Sequence, residues 1–301
     1  MAAAIKPRHG LSQYLRERVE VVFSLALFSG LPVFMLALYL FLKSPSLKSQ
    51  LKQALKNRSF KIHYQPIIDS RTGFCSGAEA LLRWPQPDGS MVRPDVFIPL
   101  AEEAGLIGPI TDLLIEMVAH EMREVLASNS KLHIAINLCA GNINTGRVLP
   151  VISRTLENTG IKPEQIWLEV SERSILDIES TCLFLEAARK RGHIVAIDDF
   201  GTGYSNLKYL HSLPIDVLKI DKSFVSSIGT ESVSSIVVFH IINMAKSLKL
   251  TIVAEGIEAQ LQADYLTAYG VELMQGWLYH KALPAEKFLD VVFAKSDCLT
   301  L

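Results

Sequence analysis

The sequence predicts an α/β fold, a (β/α)8 TIM-like barrel, preceded by one transmembrane helix. Three observations carry this prediction. After residue 58, short apolar or β-branched runs alternate with helical patterns, as a parallel sheet with helical crossovers requires. Polar residues recur at the carboxyl ends of those runs, spaced by roughly one βα unit each. An uncharged apolar run of 22 residues stands ahead of them all.

The chain has 301 residues, 49% of them hydrophobic, and a formal charge of −1. That leaves room for one large domain with an apolar addition, and a near-neutral charge offers no footprint for a nucleic-acid polymer. Cys75, Cys139, Cys182 and Cys298 are scattered and form no CxxC or Cys/His cluster, so neither zinc nor a disulfide framework is signalled.

Residues 1–20 form a short basic segment. The run VVFSLALFSGLPVFMLALYLFL follows at residues 21–42. At about 1.5 Å per residue it is long enough to cross a bilayer core of about 30 Å. It is too long for a signal-peptide core and has no small-residue cleavage site after it. Gly30 and Pro32 are placed to kink it. Lys6, Arg8, Arg16 and Arg18 precede the span, while Lys43, Lys48, Lys52, Lys56, Arg58 and Lys61 follow it. The larger cluster favours a cytoplasmic C-terminal side. Residues 43–58, with Leu47, Leu51 and Leu55 four apart, read as an amphipathic linker or first packing helix. Residues 59–301 form the domain.

The predicted strands are KIHYQPII from Lys61, GAEALLRW from Gly77, LHIAINL from Leu132, QIWLEV from Gln165, HIVAID from His193, IDVLKI from Ile215 and LTIVAE from Leu250. Helical patterns such as ITDLLIEMVAHEMREVLAS from Ile110 and VSSIVVFHIINMAKSLK from Val233 lie between them. About 240 residues of such units match a (β/α)8 barrel. No glycine-rich dinucleotide fingerprint follows the first strand.

From Glu79 through Asn137, Glu169, Asp198, Lys219 and Glu255 to Gln275 the gaps are 58, 32, 29, 21, 36 and 20 residues. The first has room for about two βα units, and each of the others resembles one. Strand ends of a barrel converge on one face, so these residues are expected to share a pocket. Its candidate ligands are hard oxygen donors without His or Cys, which points to Mg²⁺ or Mn²⁺. The adjacent Asp198 and Asp199 can hold or bridge two cations, an arrangement suited to in-line attack on a phosphodiester. Taken singly, each position has a plainer reading: Asp221 as a helix cap, Lys219 as a salt bridge, Asn137 as a turn former. Their recurrence at barrel spacing favours a common site.

Several motifs stand in order: YQPI from Tyr64, EALLRW from Glu79, FIPLAEEAGLI from Phe97, LEVSE from Leu168, DDFGTGYSNL from Asp198, LKIDKSFV from Leu218, AEGIE from Ala254 and QGW from Gln275. On these motifs the chain resembles the EAL-domain family of cyclic di-GMP phosphodiesterases, from about Leu47 to Leu289. The resemblance implies that Glu79, Asn137, Glu169, Asp198 and Asp199 hold two Mg²⁺ or Mn²⁺ ions and that Glu255 joins the metal and water shell. It implies that Lys219 orients the attacking water or stabilises phosphoryl charge, and that Gln275 completes the polar floor. Gln65 and Arg83 would meet the substrate, and Glu172 would anchor the DDFGTGYS loop. Cys139, Ala259 and Ala282 depart from the family's usual serine, threonine and proline, but none is a proposed ligand.

The implied protein is a single-pass phosphodiesterase of the bacterial inner membrane. It would hydrolyse cyclic di-GMP to linear pGpG by a two-metal mechanism, with its EAL domain in the cytoplasm and dimerised through that domain. Span and domain together resemble the catalytic half of membrane-anchored proteins that otherwise carry a periplasmic CSS-motif sensor. The alternative is a catalytically silent cyclic di-GMP receptor acting through protein partners; the complete residue set argues against it.

Overall fold

A computed structural model of the chain describes residues 46–175, 177–201, 210, 212–230 and 233–294, with part of the stretch 14–35. The chain divides into two compact units, Met1–Gln50 and Leu51–Leu301. In the first, the described residues between 14 and 35 are helical and exposed. Among the described residues no helix is long and apolar enough to cross a membrane. The end of the predicted span, residues 36–42, lies outside the described residues, as do most of the basic segment and residues 202–207 of the DDFGTGYSNL motif.

The helix Leu47–Lys56 turns Leu51 and Ala54 inward, as its leucine spacing predicts. The strands are β1 (Lys61–Asp69), β2 (Cys75–Pro85), β3 (Met91–Val92), β4 (His133–Leu138), β5 (Ile166–Ser171), β6 (Ile194–Phe200), β7 (Val217–Ile220), β8 (Thr251–Ala254), β9 (Leu273–Met274) and β10 (Leu283–Pro284). Neighbours run in the order β10-β1-β9-β8-β7-β6-β5-β4-β2-β3, and a further β1–β2 pairing closes the ring into a barrel of eight strands. The short β3 and β10 flank it.

The direction of β1 departs from the parallel expectation. It is antiparallel to both β2 and β9, whereas the pairings from β2 through β4 to β9 are parallel. The reason is local. Only residues 70–74 join β1 to β2, and a parallel connection needs a dozen or more. Asp69 closes this turn by accepting from the backbone N–H groups of Arg71 and Thr72 at 3.0 and 2.8 Å, while Gly73 takes a left-handed φ of 70°. The wide first gap also differs from expectation. Between β2 and β4 stand the helices Pro94–Glu103, Ile107–Glu121 and Arg123–Ser128 and the two-residue β3, without a further barrel strand.

Side chains alternate across each strand. Tyr64, Ile136, Leu168, Ile197, Leu218 and Ile252 belong to the larger buried cluster, together with helix residues such as Val118, Leu185 and Ile242. The opposite parity fills the barrel interior. Ile67, Ala196, Val217, Val253 and Leu273 form its floor with Trp167 and Ile194. His133 stacks on Trp167 at 3.6 Å between ring centroids, lying so close to Gly77 that a Cβ there would come within 2.5 Å of the imidazole. Burial pushes His133 down to about 3, so it is neutral packing. One step further along this inward row, the strands turn polar.

Candidate metal centre

Glu79, Asn137, Glu169, Asp198 and Lys219 each follow a floor residue by two positions: Gly77, Ala135, Trp167, Ala196 and Val217. Alternation therefore turns them inward. They lie within β2, β4, β5, β6 and β7, short of the strand ends that the sequence suggested. Only Glu255 and Gln275 stand one residue past their strands, β8 and β9. Their backbone N–H groups still donate to Ile220 O at 3.1 Å and Ala254 O at 2.8 Å, which continues the ladder.

Lys219 occupies the middle, with 1% of its side chain exposed; its Nζ lies 2.7 Å from Glu255, 2.9 Å from Glu169, 3.0 Å from Asp198 and 3.6 Å from Glu79. Burial alone would lower the lysine pKa, but these carboxylates outweigh it and hold the ammonium charged. Asn137 Nδ2 donates to Glu79 Oε1 at 2.5 Å and Gln275 Nε2 to Glu79 Oε2 at 2.9 Å. Burial opposes ionisation of Glu79, yet Lys219 and these two amides hold it below the usual carboxylate range. Asn137 is thus a site residue, not a turn former.

The other acids are over-crowded. Burial pushes Glu169 well above the usual range, Lys219 opposing and the neighbouring acids adding to it. Glu255 is pushed up to about 8, again by burial first. Asp199 is raised by burial, by Asp198 and by Asp221.

Adjacent strand residues normally face opposite sides, so Asp198 and Asp199 need a device to share one site. The β6–β7 register slips between Ile197 and Phe200, and Asp199 takes a left-handed φ of 53°. This bulge brings an Asp199 oxygen within 4.8 Å of oxygens from Asp198 and Glu255. A second triad, Glu79, Glu169 and Asp198, meets the same distance limit. The two triads share Asp198.

These residues fit divalent cations. Four carboxylates surround one lysine, and Asp199 adds a fifth beside Asp198 and Glu255. Among the described residues, the buried Glu169 Oε1 and Gln275 Oε1 have no hydrogen-bond donor. The donor set is all oxygen, the preference of Mg²⁺ or Mn²⁺.

Gln65 stands across β1–β2 from Glu79. Arg83 lies four residues beyond Glu79 and is half-buried, its guanidinium donating to Leu82 O at 3.1 Å. Glu172 accepts from the Gly201 N–H at 3.0 Å, consistent with its expected hold on the loop after β6. Asp221 is indeed a helix cap, accepting from the Ser223 N–H. Sequence reasoning missed Lys61 and His63, which continue the inward row of Gln65; the alternation in KIHYQ was the available signal.

Barrel and cluster together define an α/β-barrel protein with a polyacidic, lysine-centred cluster inside the barrel. The chain belongs to the EAL domain family, which matches residues 48–282. It is 42% identical over 272 residues to PdeB of Escherichia coli (strain K12), named a probable cyclic di-GMP phosphodiesterase, covering 90% of this chain and 52% of that protein. It is 36% identical over 242 residues to the cyclic di-GMP phosphodiesterase PdeL of the same organism, covering 79% of this chain and 66% of PdeL. The chain thus spans about half the length of PdeB. Its structure is similar to that of the PaMucR phosphodiesterase in complex with c-di-GMP, with a TM-score of 0.74 and 36% identity over 79% of this chain and 97% of that one.

Proposed function

We propose that this protein is a metal-dependent phosphodiesterase that hydrolyses one phosphodiester bond of cyclic di-GMP to give linear pGpG. The observation that carries the reading is the pair of carboxylate triads sharing Asp198 around a fully buried lysine. Glu79, Asn137, Glu169, Asp198 and Asp199 would hold two Mg²⁺ or Mn²⁺ ions, with Glu255 beside them. Such ions lower the pKa of water and neutralise phosphoryl oxygens.

The chain's own residues do the rest. Asn137 and Gln275 fix the Glu79 carboxylate. Lys219 orients the attacking water and stabilises charge gathering on the phosphoryl group. Gln65 and Arg83 face the dinucleotide, Arg83 as a phosphate partner.

The test is turnover of cyclic di-GMP by the purified chain, with the product identified by chromatography. We expect pGpG with Mg²⁺ or Mn²⁺, poor support from the looser coordination of Ca²⁺, and no product after chelation. Full activity after exhaustive chelation overturns the reading, and tight binding without turnover favours a silent receptor.

The same reading includes a membrane tether formed by residues 21–42, with the barrel in the cytoplasm of a bacterial cell, as in the catalytic half of CSS-motif proteins. Among the described residues, Val22, Phe23, Phe28, Val33 and Phe34 are exposed, Phe28 at 86%, which supports an apolar environment for that helix. A topology reporter fused after Leu301 should be active only in the cytoplasm. A homodimer through the barrel domain belongs to the same reading.

A further inference from the structure

The reversed direction of β1 brings its N-terminal end to the mouth of the barrel. Register pairs Gln65 with Glu79, His63 with Leu81 and Lys61 with Arg83. Tyr64 faces the helices: its ring stacks on Phe288 at 5.4 Å and its hydroxyl donates to Glu121 at 2.7 Å. Alternation therefore turns Lys61, His63 and Gln65 to the inner side. The row climbs from the acid cluster at Glu79 to a basic lip at Arg83 and Lys61, roughly 13 Å of strand at about 3.3 Å per residue.

Two features distinguish this lip from an ordinary solvated edge. Among the described residues none of Lys61, His63 and Arg83 forms an ion pair. His63 and Arg83 are also partly buried beside the exposed Lys61, which sets them apart from freely solvated surface charges. Burial, then the charges of Arg83 and Lys61, hold His63 below its usual value, as the pairing register that sets the three side by side requires. A neutral imidazole between two cations can donate one N–H to an anion. Unpaired positive charge above an acid-and-cation floor calls for a ligand with a second negative group, held away from the reacting one.

We propose that Lys61 and His63, together with Arg83, seat the second, unreacted phosphodiester of the substrate, and that this seat favours cyclic dinucleotides over simple phosphodiesters. The proposal rests on the phosphodiesterase reading and deepens it. The metal floor would act on one phosphodiester while the basic lip grips the other.

The test compares the whole chain with its Lys61→Ala/His63→Ala double variant in Mg²⁺. Two substrates are used: cyclic di-GMP and bis(p-nitrophenyl) phosphate, which carries a single phosphodiester. We expect KM for cyclic di-GMP to rise about tenfold to hundredfold, the range for losing charge-assisted hydrogen bonds, with kcat little changed. Rates on bis(p-nitrophenyl) phosphate should stay near those of the unaltered chain, and His63→Asn, which keeps a donor, should recover part of the loss. The salt dependence of KM for cyclic di-GMP should also weaken in the double variant. Equal losses on both substrates, or none on either, overturn the seat. Calorimetric binding of cyclic di-GMP separates the two failures. Binding without turnover by the unaltered chain overturns the phosphodiesterase reading, and unchanged affinity in the double variant overturns the seat.

Discussion

Lys219 keeps a full charge where water is excluded because four carboxylates surround it. Removing it separates a role in chemistry from a role in folding. We expect Lys219→Ala to lower kcat by about 10²–10³, the usual effect of deleting one preorganised charge-stabilising donor. KM for cyclic di-GMP should hardly move, and Mn²⁺ should still bind, since no ligand is lost; a change in KM alone would refute the assignment. Without metal the variant should melt earlier, because buried acids lose their counter-charge. A helix start outside the carboxylate triads offers a second test. Ala259 caps the helix Gln260–Ala268 with extended backbone angles and no side-chain hydrogen bond. Ala259→Thr would supply the missing acceptor, so denaturant unfolding should show a gain of about 1 kcal/mol, with turnover unchanged.

The β6 bulge decides whether one or both aspartates reach the site. Its backbone continues directly into Gly201, whose N–H is held by Glu172 at the end of β5. Glu172 contributes no atom to either carboxylate triad. It nevertheless fixes the chain two residues after Asp199, the only member of the Asp198, Asp199 and Glu255 triad placed by a left-handed turn. We therefore expect Glu172→Ala to cut turnover at least tenfold and to weaken the second Mn²⁺ more than the first, with circular dichroism unaltered. Calorimetric titration with Mn²⁺ reads this directly, and two undisturbed binding steps would show that the bulge holds itself. The β1–β2 turn is the other element with functional reach. By reversing β1 it sets His63 and Lys61 beside Arg83.

Across the whole barrel, the acid cluster couples metal binding to pH. Glu169 and Glu255 have pKa values raised on folding, the latter to about 8. For a raised acid the folded state binds more protons than the unfolded chain. The metal-free protein should therefore lose stability as pH climbs from about 4.5 toward 8 and beyond. Cations displace those protons, so Mg²⁺ should raise the melting temperature more at pH 8.5 than at pH 6, with proton release on binding. Melting curves at the two pH values, with and without Mg²⁺, check this; a metal-induced shift independent of pH would contradict it. Much of this molecule was legible in its sequence. Short apolar or β-branched runs such as HIAIN and IVAID, separated by helical patterns, located the strands. The spacing of Glu79, Asn137, Glu169, Asp198, Lys219, Glu255 and Gln275 located the site, because strand period and crossover length are local properties that a chain carries with it. Two things were decided only in the folded barrel: the bulge that turns Asp199 inward, and the meeting of Lys219 with four acids. Each depends on which strand closes the ring, and in what register. Those pairings join residues far apart in the chain, so their energies exist only once the barrel is shut.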